Sequence, residues 1–254
     1  MVENKTDKES KPEARSTGLS ALPWVAGAIL LLGVAIMAGL YWERTATVQS
    51  VRFSNAYFVS DEELEQQADI PLGVKPDSLD YKGIMDRVKK IPYVKDAQVR
   101  VEPSGDLVIH ITERRPLALL ADGTHKFYVD AEGMQLPLVL GKAVDVPVLY
   151  GFETTSPGDT LKSKNFEVVS CFLKHIAQNP VYDATISEVA WTEAEGVVAL
   201  SNDNGVKLIF GKGDFETKLR NWEAFYAGVI RQKGMENMET IDLRFRGQIV
   251  TRER

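Results

Sequence analysis

The chain has 254 residues, a net charge of −6 and 44% hydrophobic residues, values that exclude wholesale disorder. The acidic balance argues against nucleic acid as a partner, because phosphate binding needs a basic surface. A single cysteine, Cys171, excludes an intramolecular disulfide and a cysteine-rich zinc site, and we expect it to be buried in a helix. The three histidines lie far apart in the sequence, so neither a metal nor a cofactor is expected.

An uncharged segment near the N-terminus decides the class of protein. Residues 16–42 carry no charged side chain, and residues 21–42 form an apolar run. At about 1.5 Å per helical residue, this run is long enough to cross a bilayer. A cleaved signal peptide would have a shorter apolar region followed by a small-residue cleavage motif, which this sequence does not show. We therefore predict a retained transmembrane helix at residues 19–42.

Positive charges on the two sides of this segment predict its orientation. Four lysine or arginine residues lie within residues 5–15, whereas Arg44 and Arg52 alone follow in the first stretch after the segment. The positive-inside rule then places the N-terminus in the cytoplasm. Residues 1–18 are polar and show no periodicity, which predicts a disordered cytoplasmic tail. The remainder would lie outside the cytoplasm, as in a single-pass type II protein of the inner (cytoplasmic) membrane.

The next elements in chain order are one strand, two helices and two strands. A strand is expected at residues 48–53. Ser60 and Glu63 form a capping box for a helix that runs towards Ala68, and a second helix is expected at residues 79–90. Apolar residues then alternate with polar ones on both sides of a turn at residues 103–106. This β-α-α-β-β order over residues 43–115 predicts a small sheet with two helices on one face.

Residues 116–254 predict a second α+β domain with a mainly antiparallel sheet. Short strands are expected at residues 117–121, 127–129, 146–150, 186–191, 197–201 and 206–210. Helices are expected at residues 164–178 and 214–233. The last strand is predicted at residues 240–246, with Ile241, Leu243 and Phe245 facing inward. Because the chain ends soon afterwards, we expect this C-terminal strand to lie at an open edge of the sheet.

Several segments, in this order, resemble the bacterial FtsQ/DivIB cell-division family. They are V-x-x-V-R-F-x-N (48–55), S-D-E-E-L (60–64), I-P-Y-V-K-D-A-Q-V-R-V-E-P (91–103), E-R-R-P (113–116), Y-V-D-A-E-G (128–133) and I-D-L-R-F (241–245). The resemblance implies one membrane span, a POTRA domain and an FtsQ-type β domain. It also implies a non-enzymatic scaffold of the divisome at the septum, which binds FtsB and FtsL, links early to late division proteins and supports septal peptidoglycan synthesis.

The partner-binding surface that the resemblance implies is the C-terminal edge of the sheet. An unpaired strand offers amides and carbonyls to which an extended peptide can add as another strand. In the family this region accepts a strand from FtsB, which implies Arg244, Phe245, Gly247, Gln248 and Ile249 as contacts. In the POTRA domain, the strand at residues 48–53 or the one at 106–113 is a further candidate for a recruiting edge. The sequence does not choose between these two.

The sequence contains no pattern typical of a catalytic site. Residues 211–214 include glycine and lysine, but the spacing does not fit a phosphate-binding loop. No catalytic residue and no small-molecule substrate are therefore predicted. The alternative function is a POTRA-containing accessory or chaperone module for polypeptide transport or outer-membrane assembly. That class usually appends an array of alternating segments of about ten residues, which this sequence does not show.

Overall fold

The computed structural model describes residues 22–45, 47–122 and 125–254. Helix α1, Leu22–Thr45, comes first and has 24 residues. Within the described ranges, no helix combines the length and the apolarity that a membrane crossing requires. The predicted transmembrane helix at residues 19–42 is therefore not confirmed. The predicted cytoplasmic tail, residues 1–18, lies outside the described residues.

A three-stranded sheet covered by two helices follows. Its elements in chain order are β1 (Val51–Ser54), α2 (Asp61–Ala68), α3 (Tyr81–Val88), β2 (Val94–Val101) and β3 (Leu107–Glu113), with a 3-10 turn at Pro76–Ser78 before α3. The strand order is β1-β3-β2, and β3 runs parallel to β1 and antiparallel to β2. The predicted β-α-α-β-β order is confirmed. The strand at residues 106–113 is not an edge, however, because it forms the centre of this sheet.

Local capping explains where the two helices begin. Ser60 Oγ accepts the N–H of Glu63 at 3.2 Å, as the capping box predicted, and Asp80 Oδ1 accepts the N–H of Gly83 at 3.0 Å. Ile84 and Val88, one turn apart on α3, are buried and pack against the sheet. The apolar side chains that alternate along β2 and β3 complete this core.

A nine-stranded mixed sheet forms most of the remainder. Its strands are β4 (Pro116–Ala121), β5 (Lys126–Asp130), β6 (Gln135–Leu136), β7 (Val148–Tyr150), β8 (Ile186–Thr192), β9 (Gly196–Ser201), β10 (Lys207–Gly211), β11 (Met238–Asp242) and β12 (Val250–Glu253). The strand order is β12-β11-β10-β9-β8-β7-β4-β5-β6. Three neighbouring pairs, β10–β11, β7–β8 and β4–β7, are parallel, and the others are antiparallel. The mixed α+β class is therefore confirmed.

Helices cover this sheet and bury its aromatic core. They are α4 (Lys164–Gln178), α5 (Pro180–Thr185) and α6 (Phe215–Phe225), which continues through a π-helical segment, Tyr226–Ile230, into α7 (Arg231–Lys233). The ring of Phe172 packs against those of Phe210 and Phe215, with centroids 4.7 Å and 5.2 Å away. The prediction that Cys171 is buried is wrong: this residue is exposed. The buried positions of α4, such as Val169 and Leu173, lie on the opposite side of the helix.

The two sheets are joined by a shared core and by buried polar contacts. Leu136 of β6 is fully buried in the core cluster of the three-stranded sheet. Across the junction, the hydroxyl of Tyr93 donates to the carbonyl oxygen of Pro137 at 2.7 Å. Arg114 Nη1 donates to Asp130 Oδ2, also at 2.7 Å, and both side chains are largely buried. Rotation of one part against the other would break these contacts.

Candidate partner-binding surface

Strand β12 lies at the end of the nine-stranded sheet and pairs with β11 on one side. The N–H of Arg254 donates to the carbonyl oxygen of Asn237 at 2.9 Å. Because backbone direction alternates along a strand, Arg252 also points its backbone groups towards β11. The N–H and C=O groups of Thr251 and Glu253 therefore point towards the open edge. All four residues of β12 are exposed.

The loop before β12 departs from the prediction. Strand β11 ends at Asp242, because its Oδ1 atom accepts the N–H of Arg244 at 3.0 Å and turns the chain off the sheet. Gly247, with φ of +74°, then supplies the left-handed conformation that returns the chain as β12. The predicted strand at residues 240–246 is thus wrong beyond Asp242. The expectation that this strand forms the open edge is also wrong, because β11 lies between β10 and β12. Phe245, predicted to face inward, is instead 47% exposed.

A groove of about 460 Å³ lies between this loop and the start of α6. We call it the C-terminal groove, and its lining residues are Asp214, Thr217, Lys218, Asn221, Leu243, Arg244, Phe245, Arg246 and Gly247. Phe245 offers an exposed ring, and arginines stand on both sides of it in the chain. Aromatic and arginine side chains are the types that most often dominate binding energy at protein interfaces. The groove therefore suits a partner segment that carries an apolar side chain close to a carboxylate.

Asp242 holds Arg244 in place at the rim of the groove. Arg244 Nε and Nη2 donate to the two carboxylate oxygens of Asp242, at 3.0 Å and 2.6 Å. Burial acts to raise the pKa of Asp242, but the hydrogen bonds from Arg244 outweigh it and leave that pKa below its ordinary value. The hydrogen bonds to Asp242 also raise the pKa of Arg244. Within the described part of the chain, no hydrogen bond engages Arg244 Nη1, so this donor is available to a partner.

Lys218 lines the groove, and Gly211 lies next to Arg244 at its rim. Lys218 Nζ donates to the carbonyl oxygens of Phe210 at 2.7 Å and Gly213 at 2.5 Å. Burial is the main cause that lowers the pKa of Lys218. This lysine therefore stabilises the connection between β10 and α6 rather than offering its charge to a ligand. Gly211 has φ of +80°, and a Cβ atom there would lie 3.2 Å from Arg244 Cγ, so glycine allows the arginine to cross the chain closely.

The structure brings together three of the five residues predicted as partner contacts. Arg244, Phe245 and Gly247 line the C-terminal groove, whereas Gln248 and Ile249 do not. Ile249 is partly buried and packs against the core of the sheet. Sequence reasoning missed β12 itself and the wall contributed by α6. A signal for β12 was present, since Gly247 is followed within a few residues by a β-branched run at residues 249–251.

The opposite edge of the same sheet is covered by its own chain. Gln135 of β6 donates its N–H to the carbonyl oxygen of Asp159, and its carbonyl accepts the N–H of Gly158, both at 2.8 Å. Met134 and Thr160 add a further bridge. Among the described strands of this sheet, β12 is thus the one that offers an unpaired ladder.

These features define a class of protein: a POTRA-type β-α-α-β-β domain followed by a larger sheet with an open terminal strand. Two family models match consecutive stretches of the chain. The model described as POTRA domain, FtsQ-type, matches residues 46–114, and the one described as FtsQ/DivIB, C-terminal related, matches residues 115–252. The chain belongs to the FtsQ/DivIB family of cell-division proteins, and the resemblance seen in the sequence is confirmed.

Individual proteins of this family are similar in sequence to the chain. The cell division protein FtsQ of Salinibacter ruber is 28% identical over 257 residues, which cover 96% of this chain and 98% of the relative. The cell division protein FtsQ of Rhodothermus marinus is 32% identical over 238 residues, covering 89% and 86%. A solved structure, the major extracytoplasmic domain of the cell division protein DivIB from Geobacillus stearothermophilus, covers 47% of this chain and 97% of its own, at 24% identity. Its TM-score of 0.32 supports no conclusion about the fold.

Proposed function

We propose that this chain is a non-enzymatic scaffold of the division septum, which links early and late division proteins and supports septal peptidoglycan synthesis. Its proposed partners are FtsB- and FtsL-type proteins. The observation that carries the proposal is the open ladder of β12 beside the C-terminal groove. Membership of a cell-division family supports a role in cell division. The open edge of β12 supports binding by strand addition.

Strand addition is the proposed mode of binding for the FtsB-type partner. Its extended segment would pair with the outward backbone groups of Thr251 and Glu253. These four groups contribute on the order of 4 kcal/mol at about 1 kcal/mol per hydrogen bond, whereas micromolar affinity needs about 8 kcal/mol. Side chains must therefore supply the rest. An apolar side chain of the partner against Phe245 and a carboxylate near Arg244 are the proposed anchors.

The proposal includes attachment to the cytoplasmic membrane through residues 19–42, with both folded parts outside the cytoplasm. This element rests on the apolar sequence and on its flanking charges. Anchoring in the same membrane as the partners would raise their effective concentration. Alkaline carbonate extraction of cells that express the full chain tests it. We expect the chain in the membrane pellet, and its recovery in the supernatant would contradict the attachment.

A proline in β12 tests strand addition directly. Thr251→Pro removes an outward-facing N–H, and it leaves the inward-facing bonds of Arg252 to β11 in place. We expect its affinity for the extracytoplasmic segment of the FtsB-type protein from the same organism to fall at least thirtyfold. Calorimetry with the full chain in detergent measures this. The matched control is Thr251→Ala, which keeps the N–H and should bind within threefold of the unaltered chain.

Circular dichroism and thermal unfolding of both variants report whether the fold is kept. If Thr251→Pro folds normally and binds with unchanged affinity, the partner does not add to β12, and the proposed mode of binding is wrong.

A further inference from the structure

The POTRA-type sheet also has an open edge, at β1. This strand is the outer member of the order β1-β3-β2. The carbonyl oxygen of Ser50 accepts the N–H of Leu107 in β3 at 3.0 Å. Alternation then directs the backbone groups of Arg52 towards β3, and those of Val51 and Phe53 towards the open side. The backbone N–H and C=O groups of Val51 and Phe53 are therefore available to pair with an added strand.

The segment before β1 pairs with the loop at residues 73–74. The N–H of Val48 donates to the carbonyl oxygen of Val74 at 2.9 Å, and the carbonyl of Val48 accepts the N–H of Gly73 at 2.7 Å. Beyond that point, the described residues place no strand beside Val51 and Phe53.

An apolar groove lies along the open side of β1. Its volume is about 160 Å³, and its lining residues are Val51, Phe53, Glu65, Ala68, Ile70 and Leu72. Apolar cavities of about 150 Å³ accept a molecule the size of benzene, so this groove fits one large apolar side chain. Side chains of an added strand would project alternately towards and away from the helices, which places every second one at the groove. Leu72, at 60% exposure, forms the outer lip.

Acidic residues are frequent on and next to α2, and one of them, Glu65, lines the groove. Within residues 61–69 the acidic residues are Asp61, Glu62, Glu63, Glu65 and Asp69. None of these five carboxylates forms an ion pair with another described residue. The last turn of α2 carries no basic side chain of its own, and Arg87 of α3 donates to the carbonyl oxygens of Ala68 and Asp69 at the end of this helix. The Glu65 carboxylate, beside the apolar lining residues, therefore favours a cationic side chain of a partner at this groove.

We propose that the β1 edge binds an extended segment of a partner protein that carries one large apolar side chain, with Lys or Arg two residues away. The apolar side chain fills the groove, and the basic side chain, on the same face of the added strand, reaches the carboxylates of α2. This surface is separate from β12, so it gives the chain a second docking surface that does not depend on the first.

A designed peptide tests this surface. The probe is a fluorescein-labelled nonapeptide with Leu at its centre, Lys two residues to either side and Thr elsewhere, titrated with the full chain and followed by fluorescence anisotropy. Two matched peptides carry Ala in place of the central Leu, or Glu in place of both Lys residues. We expect saturable binding of the first peptide and at least tenfold weaker binding of the other two.

Variants of the chain test whether the peptide binds at the β1 edge. Leu72→Asp and Glu65→Lys change exposed groove residues and should each weaken binding at least tenfold. Asp86→Lys reverses an exposed charge on α3 and serves as the matched control, which should bind within twofold. Thr251→Pro should also bind within twofold, which separates this surface from the β12 edge.

Four results would overturn the proposal. They are no saturable binding of the Leu/Lys peptide, unchanged affinity in Leu72→Asp and Glu65→Lys, an equal loss in Asp86→Lys, or a loss in Thr251→Pro.

Discussion

The nine-stranded sheet ends differently on its two sides. At β6, the side chain of Gln135 adds to the backbone pairing: its Nε2 donates to Thr155 Oγ1 at 2.9 Å, and its Oε1 accepts the N–H of Thr155 at 3.1 Å. At β12, the outward backbone groups meet no strand among the described residues, and charged side chains at residues 252–254 disfavour unspecific pairing. An edge that is closed by its own chain contributes to stability, whereas an open edge is available for binding.

The largest effect on stability is expected at the closed edge. Gln135→Leu should lower the free energy of unfolding by about 1–2 kcal/mol, because the buried Gln135 side chain loses its two hydrogen bonds to Thr155, whereas the exposed Thr155 can bond to water instead. Urea unfolding followed by tryptophan fluorescence measures the loss. The matched substitution at the open edge, Thr251→Leu, should change that free energy by no more than about 0.5 kcal/mol. Equal destabilisation by the two variants would show that the β6 and β12 edges contribute equally to stability.

A smaller effect, on binding alone, is expected at Phe245. Phe245→Ala should weaken binding of the FtsB-type segment about tenfold to thirtyfold, because the ring is the exposed apolar group of the C-terminal groove. The free energy of unfolding should hardly change, since the side chain faces solvent. Calorimetry and urea unfolding measure the two quantities. Tyr150→Ala, at a residue 41% exposed and outside the groove, is the control for unspecific loss of an aromatic ring. A loss of stability without a loss of affinity would show that Phe245 supports the fold and does not contact the partner.

The open end of the sheet should also respond to acid. The pKa of Asp242 lies below its ordinary value of 3.8, so its ionised form stabilises the folded state. That stabilisation is present above the unfolded-state pKa and is lost as the pH falls through the lower, folded-state pKa. The free energy of unfolding should therefore fall more steeply below pH 4 in the unaltered chain than in Asp242→Asn. Identical pH profiles would show that the Asp242–Arg244 pair contributes nothing measurable.

The smallest effect is expected from the charge pair on the surface of β12. Arg252 Nε lies 3.0 Å from Glu239 Oε2, and the two side chains are 76% and 47% exposed. Solvent screening limits such pairs, so Arg252→Ala should change the free energy of unfolding by at most about 0.5 kcal/mol. Glu239→Ala should give the same small change. A loss above about 1 kcal/mol in either variant would show that the open edge also has a structural role.

The POTRA-type part was largely predictable because its signals are local. Ser60 caps α2 as expected, and alternation of apolar residues marked β2 and β3. The strand at residues 106–113 was offered as an edge because order along the chain does not reveal order in the sheet. Pairing of β3 with both β1 and β2 is a long-range property.

The candidate site was predictable in part. The sequence pointed to residues 244–249 but extended β11 too far, because alternation alone does not show that the Asp242 carboxylate ends the strand. Strand β12 was missed because its one signal is the short β-branched run at residues 249–251, and since all four of its residues are exposed, no alternation of apolar and polar side chains supports that signal. The contribution of Lys218 and its neighbours on α6 depends on the parallel pairing of β10 with β11, which no local pattern records.

The junction between the two sheets has a mechanical consequence. Tyr93 and Arg114 reach across it to Pro137 and Asp130, and Leu136 is buried on the far side. These contacts hold the two sheets in one relative orientation. A partner bound at β12, as proposed, would therefore lie at a fixed distance from the segment that leads into β1.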